Sequence, residues 1–169
     1  MLRYVPRLPV FLTLLLVSGC AEGPAEFASP QQRVAVEKVR LDTEEARTLI
    51  NQYRVENGLS PLSFDRALTR AAQRHSADLA RHDKISHTGS DGSNPWKRVH
   101  GSGYKARLAA ENVGAGQRSI AEVFRGWQES PGHNKNLLLA DATQMGIALV
   151  TDPQTRYGTF WTLVLGTPL

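Results

Sequence analysis

The segment QMGIALV at 144–150, DPQTR at 152–156 and YGTFWTLVL at 157–165 carries the clearest strand pattern of the chain. The two outer runs are rich in aliphatic, β-branched and aromatic residues, as buried strands are. The middle run contains the turn formers of a hairpin loop, so we expect the two strands to be antiparallel. A third strand near Arg107–Glu111 would complete a small sheet.

Helical patterns fill much of the chain before this hairpin. Asp42 and Glu45 can cap a first helix, and Gly58 with Pro61 ends it. A second helix is predicted to begin near Asp65, because an amphipathic stripe at helical spacing follows it. The stripe consists of Leu68, Ala71, Ala72, His75 and Leu79. This apolar face predicts that His75 is a core histidine rather than a ligand.

Three further helices are expected before the hairpin. Ser93-Asn94-Pro95 favours a short one, since proline is tolerated in a first turn. Ser119 and Glu122 form a capping box for another. Pro131-Gly132 breaks that helix, and Asn134–Ala140 is predicted to start the last one. Helices first and strands at the end predict an α+β domain, with the helices packed against a sheet.

The first 19 residues have the pattern of a lipoprotein signal peptide. Arg3 and Arg7 precede an apolar run that is too short to remain in a bilayer as a spanning helix. Val17-Ser18-Gly19-Cys20 is typical of a lipobox, although an ordinary secretory signal with an incidental cysteine is the alternative. Cys20 is the only cysteine of the chain, so we predict that it receives lipid and that the exported domain folds without disulfides.

These patterns divide the chain into a signal peptide (1–19), a tether (20–40) and one domain (41–169). The signal contains two of the 20 basic residues and none of the 16 acidic ones, so its removal lowers the net charge from +4 to about +2. No basic stripe interleaves with aromatics, so nucleic acid is not an expected partner. The expected location is the cell envelope, with the membrane as partner through lipidated Cys20. In a Gram-negative cell, Ala21 favours the outer membrane facing the periplasm.

Polar side chains concentrate in three separate blocks, SHTG at 86–89, ENV at 111–113 and WQESPGH at 127–133. Each block has, or adjoins, glycine or proline, as loops and element ends do. The same ordered set includes NQYR at 51–54 and GLSPL at 58–62. Together with the closing strands, it resembles the CAP superfamily of cysteine-rich secretory proteins, antigen 5 and pathogenesis-related proteins. The bacterial SCP-like domains are the most similar branch, over residues 42–166.

This resemblance implies a three-layer α-β-α sandwich with a small, mainly antiparallel central sheet. It also implies a pocket lined by two histidines and two acidic residues. His87 and His133 match the histidines and Glu111 matches the first acid. The position of the second acid is Ser130, and Glu129 lies one residue early. One residue turns a helical side chain by about 100°, so Glu129 is not an automatic replacement.

Two histidines and a carboxylate are a ligand set that could hold a divalent metal such as zinc, with one position open to water. His87, Glu111 and His133 are therefore candidate metal ligands. The alternative is a structural polar network, in which a protonated histidine donates to a buried Glu111. Ser130 and Glu129 are weaker candidates for the same pocket.

The favoured function is a non-enzymatic binding module, anchored to the membrane, for a metal ion, a lipid or another envelope ligand. Sterol, lipid and metal associations are what the resemblance implies. The first alternative is a metal-dependent hydrolase or peptidase of the envelope, in which Glu111 would be the obvious general base. A further alternative is an interaction protein that retains the pocket without using it. The chain has no HExxH or GxSxG motif, so the usual zinc-protease and serine-hydrolase arrangements lack support.

Overall fold

The predicted helices and strands are present in the predicted order, and the structure adds a helix at Pro30–Glu37 and a two-residue strand at Ser63–Phe64 that the sequence patterns did not predict. The computed structural model describes residues 30–169. The signal peptide, Cys20 and the first part of the predicted tether lie outside the described residues. The elements are α1 (Pro30–Glu37), α2 (Thr43–Glu56), β1 (Ser63–Phe64), α3 (Arg66–Arg81), α4 (Pro95–Gly101), β2 (Ala106–Ala115), α5 (Ile120–Glu129), α6 (Pro131–Leu137), β3 (Gln144–Thr151) and β4 (Thr159–Pro168).

The four strands form one sheet in the order β1-β3-β4-β2. The pairs β3–β4 and β2–β4 are antiparallel, and only the two-residue β1 runs parallel to its neighbour β3. The predicted hairpin at 152–156 and the predicted third strand are both confirmed, the latter as the longer β2. The sheet is therefore small and mainly antiparallel, as expected.

Alternation along β4 builds the three layers, because successive side chains of a strand point to opposite faces. Trp161, Leu163 and Leu165 join the core formed with α2, α5 and α6. Val164 joins the core of α3 and α4 on the other face, and Thr162 Oγ1 accepts a hydrogen bond from Ser76 Oγ of α3 at 2.8 Å. The α-β-α sandwich is thus confirmed.

The closeness of α3 to the sheet depends on Gly146 in β3. A Cβ atom at this position would lie 2.1 Å from the backbone nitrogen of Thr69, which is far inside contact distance. Only glycine lets the helix approach the strand so closely. This approach brings the buried face of α3, including His75, down onto the sheet.

Side-chain caps fix where the helices begin. Asp42 caps α2, Asp65 caps α3 and Asn94 caps α4, each by accepting backbone N–H groups of the first turn. Ser119 caps α5 by accepting from Glu122 N, while Glu122 Oε2 accepts from Arg118 N. The predicted capping box is therefore present, but the Glu122 carboxylate accepts from the residue before the N-cap instead of from the N-cap itself.

The predicted start of α6 at Asn134 is wrong by three residues. Ser130 ends α5 and also precedes the first turn of α6, where Pro131 stands. Proline has no N–H to donate, and a first turn does not require one. Pro131 therefore starts the next helix as well as ending the previous one.

The predicted tether contains an ordered part. Within it, α1 runs from Pro30 to Glu37, and Val39 packs into the core formed with α2, α5 and α6. Across residues 30–169, no helix has both the length and the apolar character that crossing a membrane requires.

Candidate functional site

The three residues singled out from the sequence come from three different elements. His87 lies in the loop between α3 and α4, Glu111 lies in the middle of β2, and His133 lies in the first turns of α6. Glu111 is a charged residue of strand β2, yet it is buried, with only 4% of its surface exposed. A carboxylate so placed needs hydrogen-bond donors or counter-charges.

Glu111 receives donors at both carboxylate oxygens. His87 Nδ1 lies 2.9 Å from Oε1, and the Arg98 guanidinium donates to Oε2 at 2.7 Å. The same Arg98 nitrogen also donates to the backbone carbonyl of His87 at 2.9 Å. Arg98 thereby ties the loop that carries His87 to the strand that carries Glu111.

His75 forms the floor beneath this contact. Its Nε2 donates to the carbonyl oxygen of Ser86 at 2.8 Å and lies 3.5 Å from Glu111 Oε1. The ring is fully buried, as the stripe of α3 predicts. Its Nδ1, however, has no hydrogen-bond partner within residues 30–169. His75 is therefore a core residue that is only half satisfied.

The three histidines differ in protonation because their surroundings differ. The hydrogen bond to Glu111 raises the pKa of His87. Burial lowers the pKa of His133, and neighbouring His87 adds to that effect. Burial also lowers the pKa of His75, against the attraction of Glu111. The two neighbouring rings thus differ in pKa, which is raised for His87 and lowered for His133.

A network of amides positions His133 next to His87. Asn112 Nδ2 donates to the carbonyl of His133 at 3.0 Å, and Asn136 Nδ2 donates to the carbonyl of Glu111 at 3.0 Å. The rings of His87 and His133 lie side by side in a tilted arrangement, with centroids 6.4 Å apart and planes inclined by 53°. Glu111 and Asn112 together fix both histidines.

The weaker candidates stand apart from this contact network. Ser130 is the junction residue between α5 and α6, and Glu129 is the exposed last residue of α5. Within the part of the chain that the structure describes, neither side chain makes an ion pair or hydrogen bond to His87, Glu111 or His133. Glu129 does not take the place of the second acid, because the helix turns it toward solvent.

As arranged, the residues do not fit a three-ligand metal site. His87 and Arg98 each hydrogen-bond to one oxygen of Glu111, so a metal ion at this carboxylate would have to compete with two donors already in place. Over residues 30–169, no three His, Cys, Asp or Glu side chains are grouped as metal ligands. His87 and His133 are the two imidazoles that remain available to a ligand.

Arg98 is the residue that the sequence reasoning missed. A buried Glu111 requires a cation, but Arg98 is only one of several basic residues in the neighbouring segments. One sequence signal points to Arg98: it lies four residues after Asn94, the N-cap of α4, and therefore one turn from the loop that carries His87.

The fold and the site define a class of protein: an α-β-α sandwich with two neighbouring histidines, one of which is bonded to a buried glutamate. The profile of the cysteine-rich secretory protein family, CAP, matches residues 47–165. The chain belongs to this family.

Relatives and solved structures agree with that assignment. The uncharacterized protein YkwD of Bacillus subtilis is 31% identical over 114 residues, which are 68% of this chain and 42% of that protein. This chain spans less than half the length of the curated relatives that it matches.

Two solved structures share the fold. An extracellular SCP-domain protein from Bacillus anthracis superposes with a TM-score of 0.65 and 26% identity, over 73% of this chain and 39% of that one. An outer surface protein from Borrelia burgdorferi superposes with a TM-score of 0.67 and 23% identity, over 76% of this chain and 97% of that one.

Proposed function

We propose that this chain is an exported, lipid-anchored binding module of the cell envelope whose ligand-facing groups are His87 and His133. The observation that carries the proposal is the engagement of Glu111 by His87 at one oxygen and by Arg98 at the other. A carboxylate held in this way orients its neighbours. Its two hydrogen bonds disfavour a role as a base or as a metal ligand.

The role of Glu111 follows from which nitrogen of His87 it holds. Because Nδ1 is bonded to Glu111, the Nε2 atom of the same ring is left for a ligand. The His87 side chain is 52% exposed, so a ligand can reach it from solvent. Glu111 therefore orients a binding group on a residue that solvent can reach.

The same contacts argue against hydrolysis as the leading function. A general base must accept a proton from water, whereas the Glu111 side chain is only 2% exposed and already accepts from two donors. Releasing it would leave the guanidinium of Arg98 buried without its counter-charge. Binding requires no such release.

Export and anchoring rest on the sequence and on one relative. The lipobox at 17–20 and the apolar run before it support a lipid at Cys20. The extracellular SCP-domain protein of Bacillus anthracis supports export of the domain. Incorporation of labelled palmitate into the full chain, and its loss in Cys20→Ser, tests the anchor. An unlabelled parent chain would remove this part of the proposal.

The binding function is tested by calorimetric titration of the detergent-solubilised full chain with zinc. Zinc is a suitable probe because imidazole nitrogens bind it well. We expect saturable one-to-one binding that the His87→Ala/His133→Ala variant loses. His100→Ala is the matched control, because it removes an exposed histidine outside the pair. Binding that survives the double substitution would contradict the assignment of His87 and His133. Cleavage of envelope peptides that the double variant abolishes would replace binding by hydrolysis.

A further inference from the structure

The backbone on both sides of His87 is held by side chains from other elements. The carbonyl oxygen of Ser86 accepts a hydrogen bond from Nε2 of His75 in α3 at 2.8 Å. The carbonyl oxygen of His87 itself accepts from the Arg98 guanidinium in α4 at 2.9 Å. These carbonyls belong to the two peptide groups that flank His87, and a peptide group is planar. Holding both planes fixes the direction of the Cα–Cβ bond of His87.

The loop adds a third constraint at Ser86. Its hydroxyl oxygen accepts from the backbone N–H of Thr88 at 2.9 Å, which closes a short turn around His87. The His87 side chain is nevertheless 52% exposed. On a free loop such a side chain would lose conformational entropy when it bound a ligand, whereas a held loop has lost part of that entropy beforehand.

His75 holds the loop from a rigid part of the molecule. It lies on the buried face of α3. The next residue, Ser76, donates its hydroxyl to Thr162 of β4 at 2.8 Å, which fastens this turn of the helix to the sheet. A carbonyl oxygen can only accept, so Nε2 of His75 carries the proton in the bond to Ser86. A donor on a packed helix positions its partner more precisely than a donor on a loop does.

Core packing does not account for a histidine at position 75. The ring of His75 is fully buried, and its Nδ1 atom has no hydrogen-bond partner within residues 30–169. An unpaired buried polar atom costs at least as much free energy as one neutral hydrogen bond contributes. An apolar side chain would fill the same space without that cost. The histidine adds the N–H group that Ser86 receives, which is the one hydrogen bond of this ring in the described part of the chain.

The held backbone places the His87 ring next to its two neighbours. Nδ1 of His87 lies 2.9 Å from Oε1 of Glu111, and the ring centroid lies 6.4 Å from that of His133. A ring that moved with its loop would lose both neighbours at once. Outer partners that orient a binding histidine change metal affinity by about ten- to a hundredfold when they are removed.

We infer that His75 is a positioning residue for ligand binding at His87: its Nε2–H fixes the peptide group before His87 and so holds the ring against Glu111 and beside His133. His75 contacts no ligand itself. This role rests on the proposed binding function, and it adds α3 to a site whose ligand-facing groups come from a loop and from α6.

Two nearly isosteric variants of the full chain, in detergent, test this role. His75→Met removes the donor, whereas His75→Gln keeps an N–H group at a similar distance from the backbone. Calorimetric titration with zinc measures the affinity of the histidine pair. We expect His75→Met to lose about tenfold in zinc affinity and His75→Gln to stay close to the parent. His75→Leu is a second variant without the donor, should His75→Met not fold.

Ser76→Ala is the matched control on the same buried turn of α3. It removes the hydrogen bond to Thr162 and leaves the bond from His75 to Ser86. Urea denaturation gives the stability of each variant, and we expect Ser76→Ala to be less stable than the parent but equal in zinc affinity. A loss of zinc affinity as large as that of His75→Met would trace the effect to a loosened α3 and would overturn the inference.

A second readout does not involve zinc. When the His87 ring is neutral, the Glu111 carboxylate can only accept, so their hydrogen bond keeps the proton on Nδ1. Heteronuclear NMR of the ring measures the protonated fraction of each nitrogen. We expect the Nδ1–H form in the parent and in His75→Gln. We expect a mixture of the two forms in His75→Met, because the ring is no longer held against Glu111.

The two readouts distinguish a failure of this role from a failure of the proposed function. A parent chain that binds no zinc contradicts the proposed function, and the protonated nitrogen of His87 then decides whether His75 positions the ring. Zinc affinity and ring protonation that match the parent in His75→Met would overturn the inference and leave the histidine pair as a binding site. A loss that His75→Gln shares would assign the effect to the shape of the imidazole instead of its N–H, and would overturn the inference as well.

Discussion

Two buried arginines have opposite surroundings in this molecule. Arg54 in α2 is fully buried and donates to neutral carbonyls alone, those of Ser60, Leu137, Leu139 and Ala142, at 2.8–3.2 Å. Arg98 in α4 donates to a carboxylate and two carbonyls, and its Nε is left without a partner within residues 30–169. One guanidinium meets only neutral acceptors, and the other meets a carboxylate.

The difference lies in which acceptors each guanidinium meets. Every nitrogen of Arg54 donates to at least one neutral carbonyl, so this cation joins the end of α6 and the loop before β3 to α2. Arg98 donates through its two terminal nitrogens to Glu111, to the carbonyls of His87 and Ser93 and to the Ser93 hydroxyl, while its Nε has no partner within residues 30–169. Each guanidinium makes four hydrogen bonds, so the charge of the acceptors distinguishes the two arginines better than burial alone.

The largest expected effect comes from Arg54→Met, which keeps the length of the side chain and removes its donors. Four backbone carbonyls then lose their guanidinium donors, and only that of Leu139 keeps a backbone partner, the N–H of Ala142. We expect a loss of about 3–5 kcal/mol in the free energy of unfolding. Urea denaturation of the parent and variant measures it. Arg54→Lys is the control, because it keeps the charge without the fork, and it should fall between the two. A cost of less than about 1 kcal/mol for Arg54→Met would break the comparison.

A smaller effect is expected from Glu111→Gln, which leaves Arg98 buried without its counter-charge but with its carbonyl contacts intact. We expect a loss of about 2–3 kcal/mol in the free energy of unfolding. The pKa of His87 should also fall toward its ordinary value, because its hydrogen-bonded carboxylate is gone.

A double-mutant cycle with Arg98→Met sharpens this test. If Arg98 and Glu111 act as one pair, the double variant should be less destabilised than the sum of the two single variants, by about 1–3 kcal/mol. NMR titration of the His87 ring gives the pKa independently. Additive losses with an unmoved His87 pKa would mean that the pair is incidental.

The smallest effect is a dependence of stability on pH around the pKa of an unfolded histidine, about 6.5. His75 and His133 have lowered pKa values in the folded chain, so stability is lost as the pH falls below about 6.5. His87 has a raised pKa, so its contribution is complete below about 6.5 and is lost as the pH rises through its folded value. Stability should therefore decline on both sides of this point.

The variant His87→Gln separates the two limbs. It should abolish the decline above about pH 6.5 and leave most of the acid limb, because burial, the larger cause of the lowered pKa values of His75 and His133, remains. Urea denaturation at intervals between pH 5 and pH 8 measures both limbs. An acid limb that disappears with His87 would mean that the protonation states of the three histidines are assigned wrongly.

Local patterns in the sequence were sufficient for most of the architecture. The caps at Asp42 and Asp65, the stripe of α3 and the β3–β4 hairpin each depend on residues close together in the chain. The layered sandwich came from the ordered family motifs, since periodicity alone does not say which face of a sheet a helix covers. The start of α6 was misplaced because Pro131 can both end one helix and begin the next.

At the candidate site, the sequence predicted His87, Glu111 and His133, and the structure places His87 and Glu111 in direct contact. Its polar-network alternative anticipated the hydrogen bond from a histidine to Glu111. The partnership of Arg98 with Glu111 was not predicted, because the two residues are thirteen positions apart on different elements and several other basic residues lie nearby. The lipidation of Cys20 and the metal and lipid ligands stay predictions.

The sequence by itself determined the family, most of the helices and strands, and the identity of the polar residues, because propensity, caps and motif order are encoded locally. Only the tertiary structure decided which hydrogen-bond partners and counter-charges surround each buried charged side chain. It surrounded Arg54 with carbonyls, paired Glu111 with Arg98 and His87, and left Nε of Arg98 buried without a partner within residues 30–169. The physical reason is that the energy of a buried charge depends on which partners surround it, and those partners come from distant parts of the chain.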